Sequence, residues 1–289
     1  MRRKNTFVLC AASVLFQLAT APHVFADPIL GSALASFSVL GAETVTNTGA
    51  TTLTGNLGVD PGSAITGMAT ITVNGTNAAT IGNPSVHQSD AFAELAQSQL
   101  ANAQVNLGLF GAGTLLSVDL AGLTLSPGVY TVPAGISNLT GTLTLDGHGD
   151  ANAFWVFQMP STLITSPGSV VDVINTGAGA GLYWNVGSSA TLATTTSFQG
   201  NILALTSISL NTGATIRCGR ALANVGEVAM DANTISVACP GTGEEGSFGL
   251  SGGSILEGSA VPEPGTMVLL GTGIAWAVAR RKKSRLPIA

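Results

Sequence analysis

Short segments in which apolar and polar residues alternate fill most of the chain, from residue 29 to residue 237. In 142–145, for example, threonine and leucine alternate, and glycine, asparagine and threonine separate such segments from one another. A period of two residues is typical of β-strands that bury one face. The pattern therefore predicts many short strands joined by tight turns.

Similar pieces recur along the chain at intervals that suit stacked coils. The pentapeptide Asn-Thr-Gly-Ala-Thr occurs at 47–51 and at 211–215, and apolar positions in the last coils align at separations of 18 to 20 residues. Repeats of this length, built from strands and turns, favour a β-solenoid, with an antiparallel β-sandwich as the competing fold. The aligned pairs are Phe198 with Ile216, Leu203 with Leu222, Ile208 with Val228, and Leu210 with Met230.

One segment breaks the strand pattern and predicts a helix over about 84–107. Asn83 suits the N-cap, Pro84 suits the first helical position, and Gly108 suits the end. We expect this single amphipathic helix to pack along one face of the solenoid. The residues of its predicted apolar stripe are Phe92, Leu95, Ala96, Leu100, Ala103 and Leu107.

The charge content is unusually low and excludes one large class of function. Only 9% of the 289 residues are charged, against roughly 25% in a typical soluble domain. Between residues 27 and 261 the basic residues are Arg217 and Arg220, and there is no lysine. Nucleic-acid binding needs basic side chains to neutralise phosphates, so the sequence excludes it. At 45% hydrophobic residues, the chain is also not intrinsically disordered.

The N-terminus carries the features of a secretory signal peptide, residues 1–26. Arg2, Arg3 and Lys4 precede an apolar run over 6–20, and small residues occupy the −3 and −1 positions of a cleavage site after Ala26. We therefore expect an exported protein.

The C-terminus begins with Pro262, Glu263 and Pro264, followed by an apolar run over 267–279 and a basic cluster over 280–285. This order resembles the PEP-CTERM sorting signal of Gram-negative bacteria. The resemblance implies that an exosortase-type enzyme cleaves the segment 262–289, so that membrane contact is transient and the protein reaches the cell surface or the exterior. A plain transmembrane anchor, with permanent retention, is the alternative.

Between these ends lies an ordered series of short motifs, at 30–31, 35–40, 44–49, 54–59, 61–62, 123–130, 153–158, 184–192 and 200–204. In this order they resemble the microbial ice-binding protein family. The resemblance implies a mostly β fold, a discontinuous right-handed β-helix of triangular section with one long α-helix alongside. We place this domain at 27–240 and a Gly/Ser-rich linker at 241–261.

An ice-binding face needs a flat, rigid array of methyl and hydroxyl groups rather than a catalytic constellation. Threonine suits it, because its β-branched side chain is stiff and its hydroxyl joins a water network. Alternation around the inward aliphatic residues, and the family's threonine-containing motif at 48–51 and 212–215, give the candidate positions. Gln199 and Arg217 neighbour them and are poor ice ligands. The candidates are Thr48, Thr51, Thr52, Ser197, Ser207, Ser209, Thr212, Thr215 and Thr234.

The two cysteines of the mature chain, Cys218 and Cys239, are separated by about one coil and predict a disulfide in an exported protein. Such a bond contributes roughly 3 kcal/mol for a loop of this length. His87 and His148 lie far from them in sequence, so we expect no metal site. The two histidines also have no evident nucleophile partner, so we expect no catalytic residue, and nothing in the sequence calls for a cofactor. An aromatic group over 154–157 and 183–184 fits core filling better than a carbohydrate-binding platform.

Three functions from different classes remain. The first is an exported, monomeric, non-enzymatic protein that adsorbs to an ice crystal surface and inhibits its growth and recrystallisation. The second is a cell-surface adhesin or matrix protein on the same scaffold. The third, a polysaccharide-active β-helix enzyme, lacks the clustered aspartates and basic residues that such a groove requires.

Overall fold

A computed structural model describes residues 29–177 and 179–238, and it shows a β-helix with one α-helix alongside. Except for one short antiparallel pair, the strands pair in parallel. In the first half of the chain the strands are β1 Phe37–Gly41, β2 Thr44–Thr48, β3 Thr51–Thr54, β4 Asn56–Val59, β5 Ala64–Ile65, β6 Ile71–Val73, β7 Thr76–Asn77, β8 Val86–Gln88, β9 Thr114–Leu115, β10 Thr124–Leu125, β11 Gly128–Thr131 and β12 Thr142–Asp146. In the second half they are β13 Phe154–Met159, β14 Leu163–Ile164, β15 Val170–Ile174, β16 Gly181–Val186, β17 Ala190–Leu192, β18 Ser197–Ala204, β19 Ile208–Leu210, β20 Thr215–Ala223, β21 Val228–Asp231 and β22 Thr234–Ser236. Two short 3-10 turns occupy Leu34–Ser36 and Met68–Thr70.

The register predicted from the sequence repeats is confirmed. Phe198 pairs with Ile216 and Leu203 with Leu222 between β18 and β20, and the two pairs predicted between β19 and β21 also form. The separations hold because each coil makes one circuit around the same apolar interior. The competing antiparallel sandwich is wrong.

The order of the coils in space differs from their order in the chain. The last coil, β20 to β22, stacks directly on the first coil, β1 to β3, through parallel pairs. In chain order, β1 to β8 form one end of the β-helix, and the α-helix then carries the chain to the far end. The strands from β9 onward lead back, coil by coil, toward the first coil. This return closes the ladder and leaves no gap between the first and last coils.

Three faces surround the interior, and we name them by what they carry. The threonine face contains β12, β15, the first halves of β18 and β20, β22, β3 and β6. The serine face contains β14, β17, β19, β21, β2 and β5. The helix face contains β11, β13, β16, the second halves of β18 and β20, β1, β4 and β8.

Glycine is required where β18 and β20 turn from the threonine face onto the helix face. Gly200 has a φ of +94°, and a Cβ on Gly219 would lie 1.9 Å from the carbonyl oxygen of Gly200. Any side chain there would collide with the neighbouring backbone. The polar residues that follow, Asn201 and Arg220, are fully buried.

The interior is a continuous apolar cluster that includes three of the aromatic residues found in the sequence, Trp155, Phe157 and Trp184. All three are fully buried, and the rings of Phe157 and Trp184 stack with centroids 4.1 Å apart. Tyr183 is fully buried in a second apolar cluster, between the helix face and the α-helix, and the partly buried Phe154 packs against that cluster. The predicted role in core filling is confirmed for the four fully buried residues.

The α-helix, α1, runs from Ala91 to Gly108, so its predicted start near residue 84 is wrong. The segment before it forms β8, which pairs with β4, and Asp90 takes the N-cap position that we assigned to Asn83. The Asp90 side chain accepts hydrogen bonds from the backbone N–H groups of Phe92 and Ala93, at 3.1 and 2.8 Å.

The buried stripe of α1 is also rotated relative to the prediction. Phe92 and Leu95 are 37% and 49% exposed, whereas Ala93 and Gln97 are buried in their place. Gln97 donates from its side chain to the carbonyl oxygens of Gly41 and Ala223 on the helix face. Small residues let the helix approach closely, and glutamine amides satisfy sheet carbonyls beneath it. The other buried positions of the helix are Ala96, Leu100, Ala103 and Leu107.

The Asp90 cap gives a first testable expectation. Replacing Asp90 with alanine leaves two helix N–H groups without their side-chain acceptor and should lower the free energy of unfolding by about 1 kcal/mol. Asp90→Asn, which keeps an amide oxygen at the cap, should lose less. Urea unfolding at neutral pH measures both, and an alanine variant as stable as the wild type would contradict the capping role.

The contribution of Asp90 to the stability of the fold depends on pH. Desolvation opposes ionisation of Asp90, but hydrogen bonds from the Ala93 N–H and from His87 outweigh it and hold its pKa below the ordinary value. A carboxyl whose pKa is lowered by folding stabilises the protein above its unfolded pKa of about 3.9, and this contribution disappears as the pH falls through the folded value. The stability difference between wild type and Asp90→Ala should therefore shrink below about pH 4.

The predicted signal peptide, linker and sorting segment, at 1–26, 241–261 and 262–289, lie outside the described residues, and so does Cys239. Within the two described ranges, no helix combines the length and apolarity that a membrane crossing requires. The Cys218–Cys239 disulfide stays a prediction.

Candidate functional site

Four of the candidate residues form one continuous column on the threonine face. Ser197, Thr215, Thr234 and Thr52 lie on successive strands, each directly paired with the next. Thr72 extends the column at one end. Val170 and Thr142 extend it at the other end, so the column spans seven strands and carries no charge.

The spacing of this first column is regular because it is set by the backbone. Parallel strands place successive side chains of the column about 4.8 Å apart, and alternate residues along one strand about 6.6 Å apart. Phe198, Ile216, Ile235 and Leu53, the inward neighbours of the column, are at most 1% exposed. These buried side chains hold the strands firmly, so the outward hydroxyl and methyl groups form a stiff, ordered surface.

A second outward column runs beside the first and is less uniform. It holds Ser236 and Thr54, which pair across β22 and β3, and Thr144 on β12. Between these uncharged residues lie Gln199, which is only 6% exposed and so is withdrawn from the surface, and the exposed Arg217. Asp172, paired with Thr144, carries the other charge of this column.

Three other candidates, Thr48, Ser207 and Ser209, lie on the serine face. Ser207 accepts a hydrogen bond from the backbone N–H of Glu227, at 3.3 Å, and Thr48 pairs with Asp231. Both acidic residues are partly exposed on this face. The structure therefore divides the predicted set between two faces. The serine face also carries an uncharged outward column, but that column spans five strands, against seven for the first column of the threonine face. Its residues are Ile164, Thr191, Ser209, Ala229 and Thr46.

Two candidates from the repeated motifs lie at corners of the β-helix. Thr51 is 1% exposed; its hydroxyl donates to Asn47 Oδ1 at 2.6 Å and accepts from the Asn233 N–H at 3.1 Å. Thr51 is thus buried and inaccessible to any ligand. Its hydroxyl group instead stabilises the turn before β3. Thr212 is exposed, and its hydroxyl donates to Asp231.

Stacked turns bring together a cluster of polar side chains that the sequence did not reveal. His148 Nε2 lies 2.9 Å from Ser126 Oγ, and His148 Nδ1 lies 3.5 Å from Asp146 Oδ2. Hydrogen bonds from the Asn175 side chain and the His148 N–H hold the pKa of Asp146 below its ordinary value. Pairing of β10 with β12 places these turns side by side, a proximity that only the register could have predicted. The group ties adjacent turns together.

Among the described residues, no three histidine, cysteine or acidic side chains are grouped so that they could hold a metal ion. His87 Nδ1 lies 2.7 Å from Asp90 Oδ2, and the His87 ring packs against Phe37 and Phe92 at the start of the helix. Their geometry serves helix capping.

Comparison with known proteins gives matches across the whole domain. Residues 39–236 match the family described as Ice-binding-like, and residues 260–283 match the PEP-CTERM protein-sorting motif. The chain is 44% identical to an ice-binding protein of Nostoc sp. (strain HG1) over 260 residues, which cover 89% of this chain and 88% of that protein.

Two solved structures support the same relationship. An ice-binding protein from the Antarctic ascomycete Antarctomyces psychrotrophicus has 35% identity and a TM-score of 0.64, over 72% of this chain and 97% of that one. An ice-binding protein from an Antarctic biological consortium has 36% identity and a TM-score of 0.63, over 80% and 96%. These relatives give no support to the adhesin or matrix alternative.

Proposed function

The chain belongs to the ice-binding-like family, and on that premise we propose that it is an exported protein that adsorbs to ice through its threonine face. The observation that carries the choice of face is the uncharged first column, which continues over seven parallel strands. We propose contact through Thr52, Ser197, Thr215 and Thr234 from the original candidates, joined by Thr72 and Thr142.

The chemistry of adsorption follows from what the first column offers to water. Each threonine presents a methyl group and a hydroxyl at a position fixed by strand pairing, with a stiff β-branched torsion. Water held by one hydroxyl is in reach of water held by the next, so small contributions reinforce one another along the column. Bound protein then pins the ice front, growth between bound molecules becomes curved and unfavourable, and recrystallisation slows.

The other two faces are poorer surfaces for this task. The helix face is covered by α1, whose buried side pins it to the sheet. The uncharged column of the serine face is shorter, and at Ala229 it is flanked on both sides by carboxylates, Glu227 and Asp231, which hold their own hydration and interrupt an ordered water layer. Ser207, Ser209 and Thr48 are therefore assigned to the surface next to the contact, and they provide positions for control variants.

We also propose how the mature protein is formed. Export removes 1–26, the domain 27–240 folds as a monomer, and 241–261 links it to the sorting segment 262–289. The match of 260–283 to the PEP-CTERM motif supports sorting to the cell surface or the exterior. We further propose that an exosortase-type enzyme cleaves the sorting segment, so that contact with the membrane is transient. We also propose that Cys218 and Cys239 form a disulfide.

The experiment that tests the function is microscopy of single ice crystals in a dilute solution of the exported protein. We expect faceted crystals, a gap between melting and growth temperatures, and small grains after annealing. Round crystals and grain growth equal to those in buffer, from protein shown to be folded by circular dichroism, would refute ice binding.

A further inference from the structure

Arg217 occupies an unexpected place on the threonine face. It lies on β20 two residues after Thr215, in the second outward column, and pairs with Gln199 of β18. The pairing of Thr215 with Thr234 places Arg217 next to Ser236 on the other side. An exposed cation therefore stands beside the centre of the uncharged first column.

No ion pair fixes Arg217 within the part of the chain that the structure describes. Its neighbours across the strands, Gln199 and Ser236, carry no charge, and Asp172 lies two strands away. The guanidinium carries a positive charge and keeps its own hydration shell. The long side chain also has many rotamers, which must be restricted if the surface is to become ordered.

Arg217 interrupts the second outward column of the threonine face. Ser236 and Thr54 continue the second column away from Arg217, with short hydroxyl side chains in register with Thr234 and Thr52. At that end of the face the two columns therefore both carry short hydroxyl side chains, and the Ser236 hydroxyl is held by a hydrogen bond that it donates to the carbonyl oxygen of Ala238, at 3.0 Å. At β20 the second column carries the longer, exposed Arg217 instead, and beyond it Gln199 and the exposed Asp172 separate this end from Thr144 at the other.

We propose that Arg217 determines the extent of the ice contact, confining it at the centre of the face to the first column. This inference rests on the proposed function. A short hydroxyl side chain at 217 extends the contact to the second column, joining Thr215 to Ser236 and Thr54 as one surface. The natural residue therefore makes the protein a weaker ice binder than its scaffold allows.

The test is a comparison of thermal hysteresis and grain size for the full exported protein carrying Arg217→Thr, Arg217→Lys or the native residue. We expect Arg217→Thr to raise thermal hysteresis about twofold or more at equal concentration, because added hydroxyl positions act through their neighbours. Arg217→Lys keeps a long, charged side chain and should stay at the wild-type level. Circular dichroism and melting temperature verify the fold of each variant.

The outcomes separate this inference from the function on which it rests. If the wild type is active and folded Arg217→Thr is equal or weaker, Arg217 does not limit the contact, and a weaker variant would make it an ice ligand instead. If Arg217→Lys rises as much as Arg217→Thr, the role of charge and length is wrong. If the native protein shows no ice activity, the proposed function itself fails.

Discussion

Replacing Thr215 with tyrosine is expected to weaken adsorption to ice about tenfold or more, which is a loss of at least about 1.4 kcal/mol of binding free energy. Thr215 is the middle residue of the first column, with three strands on each side. A bulky ring there holds the neighbouring hydroxyls away from the ice lattice, so the loss extends beyond one residue. Thermal hysteresis and recrystallisation assays measure the effect.

Two further variants make this result specific to the face. Thr52→Tyr, in the same column, should also lose activity. Ser209→Tyr is the matched control on the serine face and should keep its activity; Ser209 and Thr215 are both partly exposed. Circular dichroism should be unchanged in all three. Full activity of both threonine variants would contradict contact through the threonine face, and a loss confined to Ser209→Tyr would show that the serine face binds ice.

Replacing Arg220 with methionine is expected to lower the free energy of unfolding by about 3 kcal/mol. Arg220 is fully buried; its Nε donates to the carbonyl oxygen of Ala35 at 3.1 Å, and its guanidinium donates to Asn201 Oδ1 at 2.7 Å. Burial lowers its pKa to about 10, partly offset by Tyr183. Removing the guanidinium leaves these acceptors buried without that donor, which costs more than the loss of the bonds themselves.

Thermal unfolding measures this effect, and the chain offers a control three residues away. A loss of about 3 kcal/mol corresponds to a fall in melting temperature of roughly 10 °C for a domain of this size. Arg217→Met, on the same strand but exposed, should change stability by no more than about 0.5 kcal/mol. If both variants melt together with the wild type, Arg220 does not anchor the N-terminal turn to the β-helix.

The register of the coils could be predicted because inward positions repeat with the circuit of the backbone. Phe198 and Ile216, or Ile208 and Val228, must stack wherever the interior is continuous, so spacing alone locates them. The closing contact between the first and last coils is different. Thr234 meets Thr52 from a position about 180 residues away in the chain, and no local pattern indicates which coil neighbours which.

The candidate site was harder to predict because alternation shows that a residue points outward, but not on which face. Ser209 and Thr215 are only six residues apart, yet a corner at Asn211–Ala214 places them on different faces. Thr51 belongs to a motif that resembles an ice-binding repeat, but its hydroxyl closes a turn. For the helix, propensity favoured Asn83 and Pro84, whereas pairing of β8 with β4 moved the start to Ala91.

The most direct test of ice binding through the threonine face is to image fluorescently labelled protein on a single ice crystal. Wild-type protein and Ser209→Tyr should coat the crystal and remain on it after the surrounding solution is exchanged for buffer, while Thr215→Tyr should wash away. Wild-type protein that stays in the liquid, or a Thr215→Tyr variant that coats the crystal as densely as the wild type, would contradict adsorption through this face.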